Sequence, residues 1–440
     1  MSLAPPVVET WSRGEQLRGL LTGWMAWVGK GALAVLDQGL ISGSNFLTGI
    51  LLARWLAPEA YGAYGFAFAI FLLLSLVHQA LILEPMSVFG PSQYRNCQRE
   101  YLGSLLWIHG GLALPTAFVL GTAAWVAHEA ARSPGLPGAL AGVTFAAPCV
   151  LLFWLVRRAF YVKLAPQGAA MGALFYSTVV LGGLWVVYQR GVLSPFSVFL
   201  LMGLGALAAS GLQLFRLRPT MKPRLGNPSL SAVGHEHWDY GRWVLAAAVA
   251  SWVPWNIQYA LLSASSGMAA AGQLRALLNL TLPVAQGLEP LFLLSLPYAS
   301  GVYSARGVRG VEGLTRRLTV LFTCAAIAYW AVVVALRKPI LLFLYAGKYT
   351  EIGSLIPWIA LASLFRSAGY GPMVALRAVQ SPASTFVACC LSGLFALAVG
   401  IPVMRALGVS GAVLSIIASS AVVPVAASLM LHRKTSFARQ

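Results

Sequence analysis

Charged side chains are scarce in this chain, and their scarcity excludes a soluble globular protein. Only 10% of the 440 residues are charged, whereas soluble domains carry roughly 25%. Hydrophobic residues make up 58% of the chain, and the mean hydropathy is +0.76. A helix needs about 20 mostly apolar residues to cross about 30 Å of hydrocarbon. We therefore expect an all-α polytopic membrane protein.

Cysteine frameworks and cofactor motifs are missing as well. Of the five cysteines, four lie inside apolar runs and Cys97 lies in a polar loop, so no disulfide framework is predicted. The sequence has no glycine-rich phosphate loop with a lysine and no His-Glu-x-x-His zinc motif. We predict no cofactor, no metal site and no enzymatic activity. The run His235-Glu236-His237 lacks a third ligand at a defined spacing, and we interpret it as a solvated interfacial segment.

Acidic residues are few, 12 against 30 Lys and Arg, which gives a net charge of +18. Aromatic residues are not interleaved with the basic ones, and most basic residues flank apolar runs, so nucleic acid is not the expected partner. Basic residues instead set membrane orientation, because cytoplasmic loops are enriched in them. The N-terminal segment, the even-numbered loops and the tail hold 21 Lys and Arg, and the other loops hold 7. Both termini are therefore predicted to be cytoplasmic.

Apolar runs predict about twelve spans, six in each half of the chain. The first six are 31–53, 61–83, 101–127, 138–157, 169–189 and 195–215; the second six are 241–263, 269–298, 314–336, 352–376, 384–404 and 408–431. Two six-helix bundles with the same orientation follow, as in parallel repeats. The predicted organisation is an interfacial segment 1–30, a first bundle 31–215, a basic linker 216–240, a second bundle 241–431 and a tail 432–440.

A short motif occurs once in each half. Leu83-Glu84-Pro85 falls on the second span, and Leu288-Glu289-Pro290 falls on the eighth. A carboxylate beside a proline is costly in hydrocarbon, so the pair indicates a duplicated unit with polar sites. Glu84 and Glu289 are predicted to act in gating or ion coupling; the alternative is that they cap loops or pair with nearby arginines. Gly62 and Gly272 also occupy comparable positions, near the starts of the same two spans.

Ionisable residues within spans are functional candidates by default. Asp37 lies in span one, and it is either an interfacial carboxylate near Lys30 or a group that titrates or binds a cation in a cavity. Arg275 and Arg366 lie in spans eight and ten, and a guanidinium there needs an anion, a carbonyl or water. Arg275 is predicted either to pair with Glu289 or to bind a phosphate-bearing substrate. His78 and His109 are interpreted as core histidines.

The region from Asp37-Gln38-Gly39 to Asn45-Phe46, followed by the continuous run Ala53-Arg54-Trp55-Leu56-Ala57-Pro58-Glu59-Ala60-Tyr61-Gly62, resembles the N-terminal signature of bacterial polysaccharide flippases. These are O-antigen and exopolysaccharide repeat-unit exporters of the multidrug/oligosaccharidyl-lipid/polysaccharide superfamily. The resemblance implies two pseudo-symmetric six-helix bundles around a central cavity that opens alternately to each side. It also implies a polyprenyl-pyrophosphate-linked oligosaccharide as substrate. The second half matches by pattern rather than by motif and lacks an arginine equivalent to Arg54.

The leading hypothesis is a flippase of the bacterial inner membrane that moves lipid-linked saccharide to the outer leaflet for lipopolysaccharide or exopolysaccharide synthesis. The residues predicted to bind the charged part of the substrate are Arg275, Arg366, Arg54 and Lys163. Expected partners are the substrate, membrane lipid and, further, polysaccharide polymerase and glycosyltransferases; the chain is expected to be a monomer. The alternatives are an ion-coupled multidrug antiporter of the same superfamily, a membrane polymerase or glycosyltransferase, and a structural scaffold.

Overall fold

The computed structural model describes residues 13–130, 135–221, 229–379 and 381–437, and every regular element in these ranges is helical. The first half contains α1 (Arg13–Trp55), α2 (Pro58–His78), a π-helical segment (Gln79–Leu83), α3 (Glu84–Phe89), α4 (Gln98–Glu129), α5 (Leu136–Val162), α6 (Pro166–Gln189) and α7 (Pro195–Leu217). The second half contains α8 (Leu230–Ser266), α9 (Met268–Asn279), α10 (Leu282–Ala335), α11 (Arg337–Tyr345), a 3₁₀ segment (Thr350–Leu355), α12 (Ile356–Ala378) and α13 (Pro382–Phe437).

Two of these helices are bent at a glycine, and each bend separates two crossings. Gly307 in α10 has φ 60° and Gly408 in α13 has φ 55°, a left-handed conformation that glycine adopts without a Cβ penalty. By length and composition, eight segments of the described chain are long and apolar enough to cross a membrane, and α13 is counted among them as one. With α13 divided at Gly408, and with α1, α8 and the α9–Gly307 segment added, the chain forms the twelve predicted helices.

Proline marks the start of many of these helices. Pro58, Pro166 and Pro195 occupy the first turns of α2, α6 and α7, where an amide N–H would have no intrahelical partner. Ser194 completes the start of α7 by accepting a hydrogen bond from the Ser197 amide. The predicted spans begin at residues 61, 169 and 195, within three residues of these helix starts. Helix α1 differs, because it continues through residues 13–30, which were predicted to be a separate interfacial segment.

The two bundles repeat one packing scheme. In the first, α5 packs against α4 and α7, and α1 packs against α6; in the second, α12 packs against α10 and α13, and α8 packs against α13. Helices α5 and α12 are the fourth spans of their halves, and α1 and α8 are the first. The predicted fold class, two pseudo-symmetric six-helix bundles, is confirmed.

The two ends of the helices are distinguished by the loops that meet there. At one end, the Thr220 amide donates to the Arg99 carbonyl (3.0 Å), and the Arg99 guanidinium donates to the Arg218 carbonyl (2.7 Å). We call this end, which carries the connection between the bundles, the linker face. At the other end, which we call the distal face, the Lys348 ammonium donates to the Leu56 carbonyl (2.7 Å) and so joins the two halves.

Candidate functional site

Two cavities of similar size lie between the bundles, one on each side of α2. The first arm, about 470 Å³, belongs mainly to the first bundle, and the second arm, about 490 Å³, belongs mainly to the second. Leu72 of α2 lines both. Arg158, which lines the first arm, lies about one turn before the end of α5, and Arg377, which lines the second, lies in the last turn of α12. Both helix ends are at the linker face. The arms therefore occupy the half of the molecule nearer the linker face.

A buried ion pair forms the wall of the first arm. Asp37 is fully buried, and Arg157 donates to both of its carboxylate oxygens, from Nε at 3.2 Å and from a terminal nitrogen at 2.6 Å. The Tyr161 hydroxyl donates to the same carboxylate at 2.5 Å. Three donors offset much of the cost of burying the charge. The interfacial interpretation of Asp37 near Lys30 is therefore wrong, because its partners are on α5.

The rest of the first arm is mostly polar. Ser42 donates to the side-chain oxygen of Gln286 at 3.1 Å, which ties α1 to α10. Gln38, Asn45 and Gln79 add uncharged hydrogen-bonding groups to the lining. Such groups suit a hydroxyl-rich ligand, because amides and hydroxyls can donate and accept at once.

The second arm combines arginines with aromatic rings. The Arg366 guanidinium lies 5.1 Å from the Trp255 ring centre, and Arg377 lies 5.2 Å from that of Phe292. Trp252 and Tyr370 extend the aromatic wall, and no carboxylate lines this arm in the part of the chain that the structure describes. Aromatic faces attract a guanidinium through the ring quadrupole, so these rings hold both guanidinium groups at the wall of the arm.

Taken together, the described linings of both arms contain four arginines and one carboxylate, Asp37. Of the predicted site residues, Asp37 and Arg366 are brought to these cavities. Arg157, Arg158 and Arg377 were not among the residues predicted from the sequence. Their position at the end of an apolar run was the available signal.

Glu84 lies at the junction of the two bundles. It begins α3 directly after the π-helical segment and is partly buried, within electrostatic range of Arg158 on one bundle and Arg377 on the other. The side chain of its counterpart, Glu289, lies outside the described residues. A change in the separation of the bundles would therefore change the distance from Glu84 to at least one of these two arginines.

The proline of the first Leu-Glu-Pro motif leaves a backbone carbonyl without its helical partner, and a residue of the second bundle donates a hydrogen bond to that carbonyl. Pro85 has no N–H to give to the carbonyl of Leu81, four residues earlier. That carbonyl accepts a hydrogen bond at 2.9 Å from Nδ1 of His237, near the start of α8. In the second half, Gln286 lies four residues before Pro290, and its side chain meets Ser42 of α1. Each motif therefore marks a contact with the first span of the opposite half.

His237 and Glu236 are structural residues, not the solvated segment that was predicted. His237 is 2% exposed, and its Nε2 accepts from the Tyr101 hydroxyl at 2.7 Å, since Nδ1 is the donor to Leu81. Glu236 accepts hydrogen bonds from Tyr94 at 2.6 Å and from Gln93 at 2.8 Å. Only His235 conforms to the prediction, being exposed and paired with Asp239. This cluster fixes the start of α8 to the first bundle.

Arg275 lies toward the distal face, and it is not among the residues that line the two arms. It is 9% exposed, and its guanidinium lies 4.4 Å from the Phe68 ring centre and 5.9 Å from that of Tyr64. Tyr259 lies within electrostatic range of it. Arg275 therefore occupies a cage of aromatic residues between α2, α8 and α9. The pair with Glu289 that was considered stays a prediction, because the Glu289 side chain lies outside the described residues.

Two glycines bring the bundles together at the distal face. A Cβ on Gly62 would lie 1.7 Å from the Met268 carbonyl oxygen, and one on Gly272 would lie 2.5 Å from the Pro58 carbonyl oxygen. The contact is reciprocal, so α2 and α9 cross as symmetry-related partners. Beside it, the Asn279 amide donates to the Tyr61 hydroxyl at 2.7 Å. Neither α2 nor α9 can carry a side chain at this crossing.

The remaining predicted residues lie at the two faces. Arg54 is exposed at the distal face and donates to the Phe343 carbonyl at 3.5 Å. Lys163 is exposed at the end of α5, at the linker face. His78 and His109 are buried against each other, with Nε2 of the first 3.2 Å from Nδ1 of the second. Within the described ranges, no three His, Cys, Asp or Glu side chains are placed to hold a metal ion.

No protein-family model matches the sequence, and no curated protein matches it. Solved structures do share its fold. An inward-facing multidrug resistance MATE family transporter of the MOP superfamily has a TM-score of 0.75 at 10% identity, covering 92% of this chain and 98% of the transporter. An outward-facing MATE transporter scores 0.65 at 12% identity, with 92% and 96% covered. The lipid II flippase MurJ, in an inward closed conformation, scores 0.69 at 12% identity, with 92% and 87% covered.

At these identities the likeness shows the fold alone. The chain has the twelve-helix fold of MOP-superfamily transporters.

Proposed function

We propose that the chain is an alternating-access transporter that moves a polyprenyl-pyrophosphate-linked oligosaccharide across the bacterial inner membrane. The observation that carries the proposal is the charge of the cavity, four arginines against one aspartate in its described lining. Asp37 is held by Arg157, so the one carboxylate of the lining is compensated there and Arg158 and Arg377 add positive charge. A cavity of one charge sign in low dielectric selects a ligand of the opposite sign.

In this proposal the conformation is inward-facing. The distal face is closed by the glycine crossing and the caged arginine, whereas the cavity lies toward the linker face, which we place in the cytoplasm with both termini. The higher TM-score of the inward-facing MATE structure, 0.75 against 0.65 for the outward-facing one, supports this assignment. Substrate would enter from the cytoplasmic leaflet and leave after the distal face opens.

Different residues of the arms would bind different parts of such a substrate. Guanidinium groups bind phosphate oxygens through paired, charge-assisted hydrogen bonds, so Arg158, Arg366 and Arg377 would hold the pyrophosphate. The uncharged polar groups of the first arm would meet sugar hydroxyls, and the rings of Trp252 and Trp255 would stack on sugar faces. The neighbouring MurJ structure is that of a lipid II flippase, a protein with a lipid-linked substrate.

Glu84 would act as an internal counter-ion in this cycle. When no substrate is present, its carboxylate lies within electrostatic range of Arg158 and Arg377. A bound pyrophosphate would take over both guanidinium groups, and its release would return them to Glu84. Asp37 would have a different role, since it orients Arg157 and Tyr161. Ion coupling by Asp37, Glu84 or Glu289 and substrate binding by Lys163, Arg54 and Arg275 remain predictions.

A multidrug transporter is the second candidate, because the second arm has an aromatic wall and the MATE neighbours carry that description. Aromatic walls suit apolar cations, but the two arginines that line the same arm, Arg366 and Arg377, would repel such ligands.

Reconstituted proteoliposomes separate the two candidates. The wild-type chain should flip a fluorescent polyprenyl-diphosphate-linked sugar and should not extrude a cationic dye. Arg366→Gln and Arg377→Gln should each lower flipping at least about tenfold, since a charge-assisted hydrogen bond contributes roughly 1.5–3 kcal/mol. Arg405→Gln, at an exposed arginine outside the described cavity lining, is the matched control. Dye extrusion with unchanged flipping in the two variants would replace the proposal with the multidrug reading.

Partners that supply and use the lipid-linked saccharide, such as glycosyltransferases and a polymerase, would follow from this function. The transport step itself needs no second protein in this proposal, because a monomer contains both arms.

A further inference from the structure

A third cavity lies at the linker face, beside the first arm. Its volume is about 690 Å³. We call it the vestibule, and its lining residues are Ser87, Pro91, Arg95, Gln98, Arg158, Tyr161, Val162, Lys163 and Leu164. Two of them, Arg158 and Tyr161, also line the first arm. The vestibule and the first arm therefore share a wall made by the end of α5.

The vestibule collects positive charge without a carboxylate in its lining. Arg95, Arg158 and Lys163 contribute three cations. Within the described chain, none of these three side chains forms a hydrogen bond or an ion pair. By contrast, the Ser87 and Tyr161 hydroxyls donate to the Leu83 carbonyl and the Asp37 carboxylate. The groups still available to a ligand are thus the cationic ones.

The end of α5 does not oppose an anion here. The last carbonyls of a helix carry partial negative charge and repel anions when they are bare. In this turn the amides of Lys163, Leu164 and Ala165 donate to the final carbonyls of α5, at 3.2, 2.9 and 2.9 Å. Leu164 takes a left-handed φ of 53° to make this possible. The helix end is therefore covered, and its lysine side chain is presented at the cavity.

Lys163 also lies near a further cation, Arg99, which is outside the lining. Partial desolvation and the nearby Arg99 guanidinium lower the pKa of Lys163. Like charges held together without an anion destabilise their charged forms, and a bound anion removes that cost. A diphosphate offers several acceptor oxygens, enough for three separate cationic side chains.

We propose that the vestibule is a binding site for a diphosphate group, in which Arg95 and Lys163 hold the group first and Arg158 transfers it to the first arm. The identity of the lipid-borne ligand rests on the proposed transport function, whereas the anion site itself rests on the lining. A diphosphate borne on a lipid and a free one share the recognised chemistry, so both are used as probes.

The test uses the full chain in nanodiscs of neutral phosphatidylcholine and measures binding of inorganic pyrophosphate by calorimetry, with farnesyl diphosphate in the disc as a competitor. The double variant Arg95→Gln/Lys163→Gln should bind pyrophosphate about tenfold or more weakly than the wild type. The charge-preserving variant Arg95→Lys/Lys163→Arg should retain binding. The double variant Arg309→Gln/Arg317→Gln removes two exposed arginines of the second bundle and is the matched control.

Competition by farnesyl diphosphate identifies the lipid headgroup as the ligand, and its absence identifies a free diphosphate; both support the site. Unchanged pyrophosphate affinity in Arg95→Gln/Lys163→Gln overturns it. The transport proposal can fail independently of the vestibule.

If the wild type does not flip lipid diphosphates but the double variant Arg95→Gln/Lys163→Gln loses pyrophosphate binding, the vestibule is supported as an anion site without that function. If flipping depends on Arg366 and both flipping and binding are normal in the double variant, the function stands without the vestibule.

Discussion

The two faces of this molecule join the same pair of bundles by different means. At the distal face, Gly62 and Gly272 let two helix backbones touch, and Arg275 and Tyr61 fill the space beside them. At the linker face, the bundles are joined by hydrogen bonds, chiefly those of His237 to Leu81 and Tyr101. The distal contact requires that Gly62 and Gly272 have no side chain. The linker contact requires the neutral form of His237, whose ring both donates and accepts a hydrogen bond.

This difference has a physical consequence for transport. A contact between closely packed backbones has little room for partial separation, because packed interfaces are bistable rather than continuously deformable. A hydrogen-bonded contact weakens by degrees, one partner at a time. We therefore expect the distal face to act as an all-or-none gate, and the start of α8 to act as an adjustable attachment.

The largest expected effect comes from placing a side chain in the glycine crossing. Gly62→Val should hold the distal face open, because a Cβ there would lie 1.7 Å from the Met268 carbonyl oxygen. Overpacking costs up to about 3 kcal/mol, which corresponds to a change on the order of 100-fold in the ratio of closed to open forms. Spin labels at Glu59 and Lys338 on the distal face, in a cysteine-free background, would report the increased distance.

Gly110→Val is the control for this experiment, since a Cβ on Gly110 meets nothing within 4 Å. If both variants leave the label distance unchanged, the glycine crossing is not the gate.

A smaller effect is expected from Arg275. Arg275→Met should keep the distal face closed or loosen it by only about 1 kcal/mol, because the lost cation–π attraction is partly offset by removing a buried charge whose Nε has no hydrogen-bond partner. Flipping should fall far less than in Arg366→Gln. An equal loss of flipping, with the distal label distance unchanged, would support the substrate role predicted for Arg275 from the sequence.

The smallest effect is a pH dependence of the linker face. Burial lowers the pKa of His237, so the docked form prefers the neutral ring. Its contribution is complete above the usual histidine pKa of about 6.5 and is lost as the pH falls below that value, because the undocked ring then takes up a proton first. Labels on α8 and α4 should separate progressively between about pH 6.5 and pH 5. His235→Gln is the control, since His235 is exposed; a separation that persists in His237→Asn would assign the effect to another group.

The part of the site that could be predicted from the sequence consists of ionisable side chains, which are costly to bury within a membrane. Asp37 and Arg366 stood out because ionisable groups within a span are rare, and the structure brings both to the cavity. Arg157, Arg158 and Arg377 did not stand out, because an arginine at the end of a span is usually solvated at the interface. Their role depends on α5 and α12 ending beside the cavity, which is decided by the packing of the bundles. Arg275 shows the opposite case: its place within a span was read from the sequence, but the aromatic residues around it come from two other helices, α2 and α8.

The helices themselves follow from local properties of the sequence: apolar length, proline at helix starts and glycine at bends. Backbone groups in hydrocarbon must be hydrogen-bonded, and a helix pairs nearly all of them within one segment. Which residues face each other across the two halves follows instead from the packing of the bundles. The Leu81 carbonyl freed by Pro85 meets His237 156 residues away, and Gly62 meets Gly272 because α2 and α9 cross at a symmetric point. Such meetings depend on the relative position of whole bundles, which no local pattern in a chain specifies.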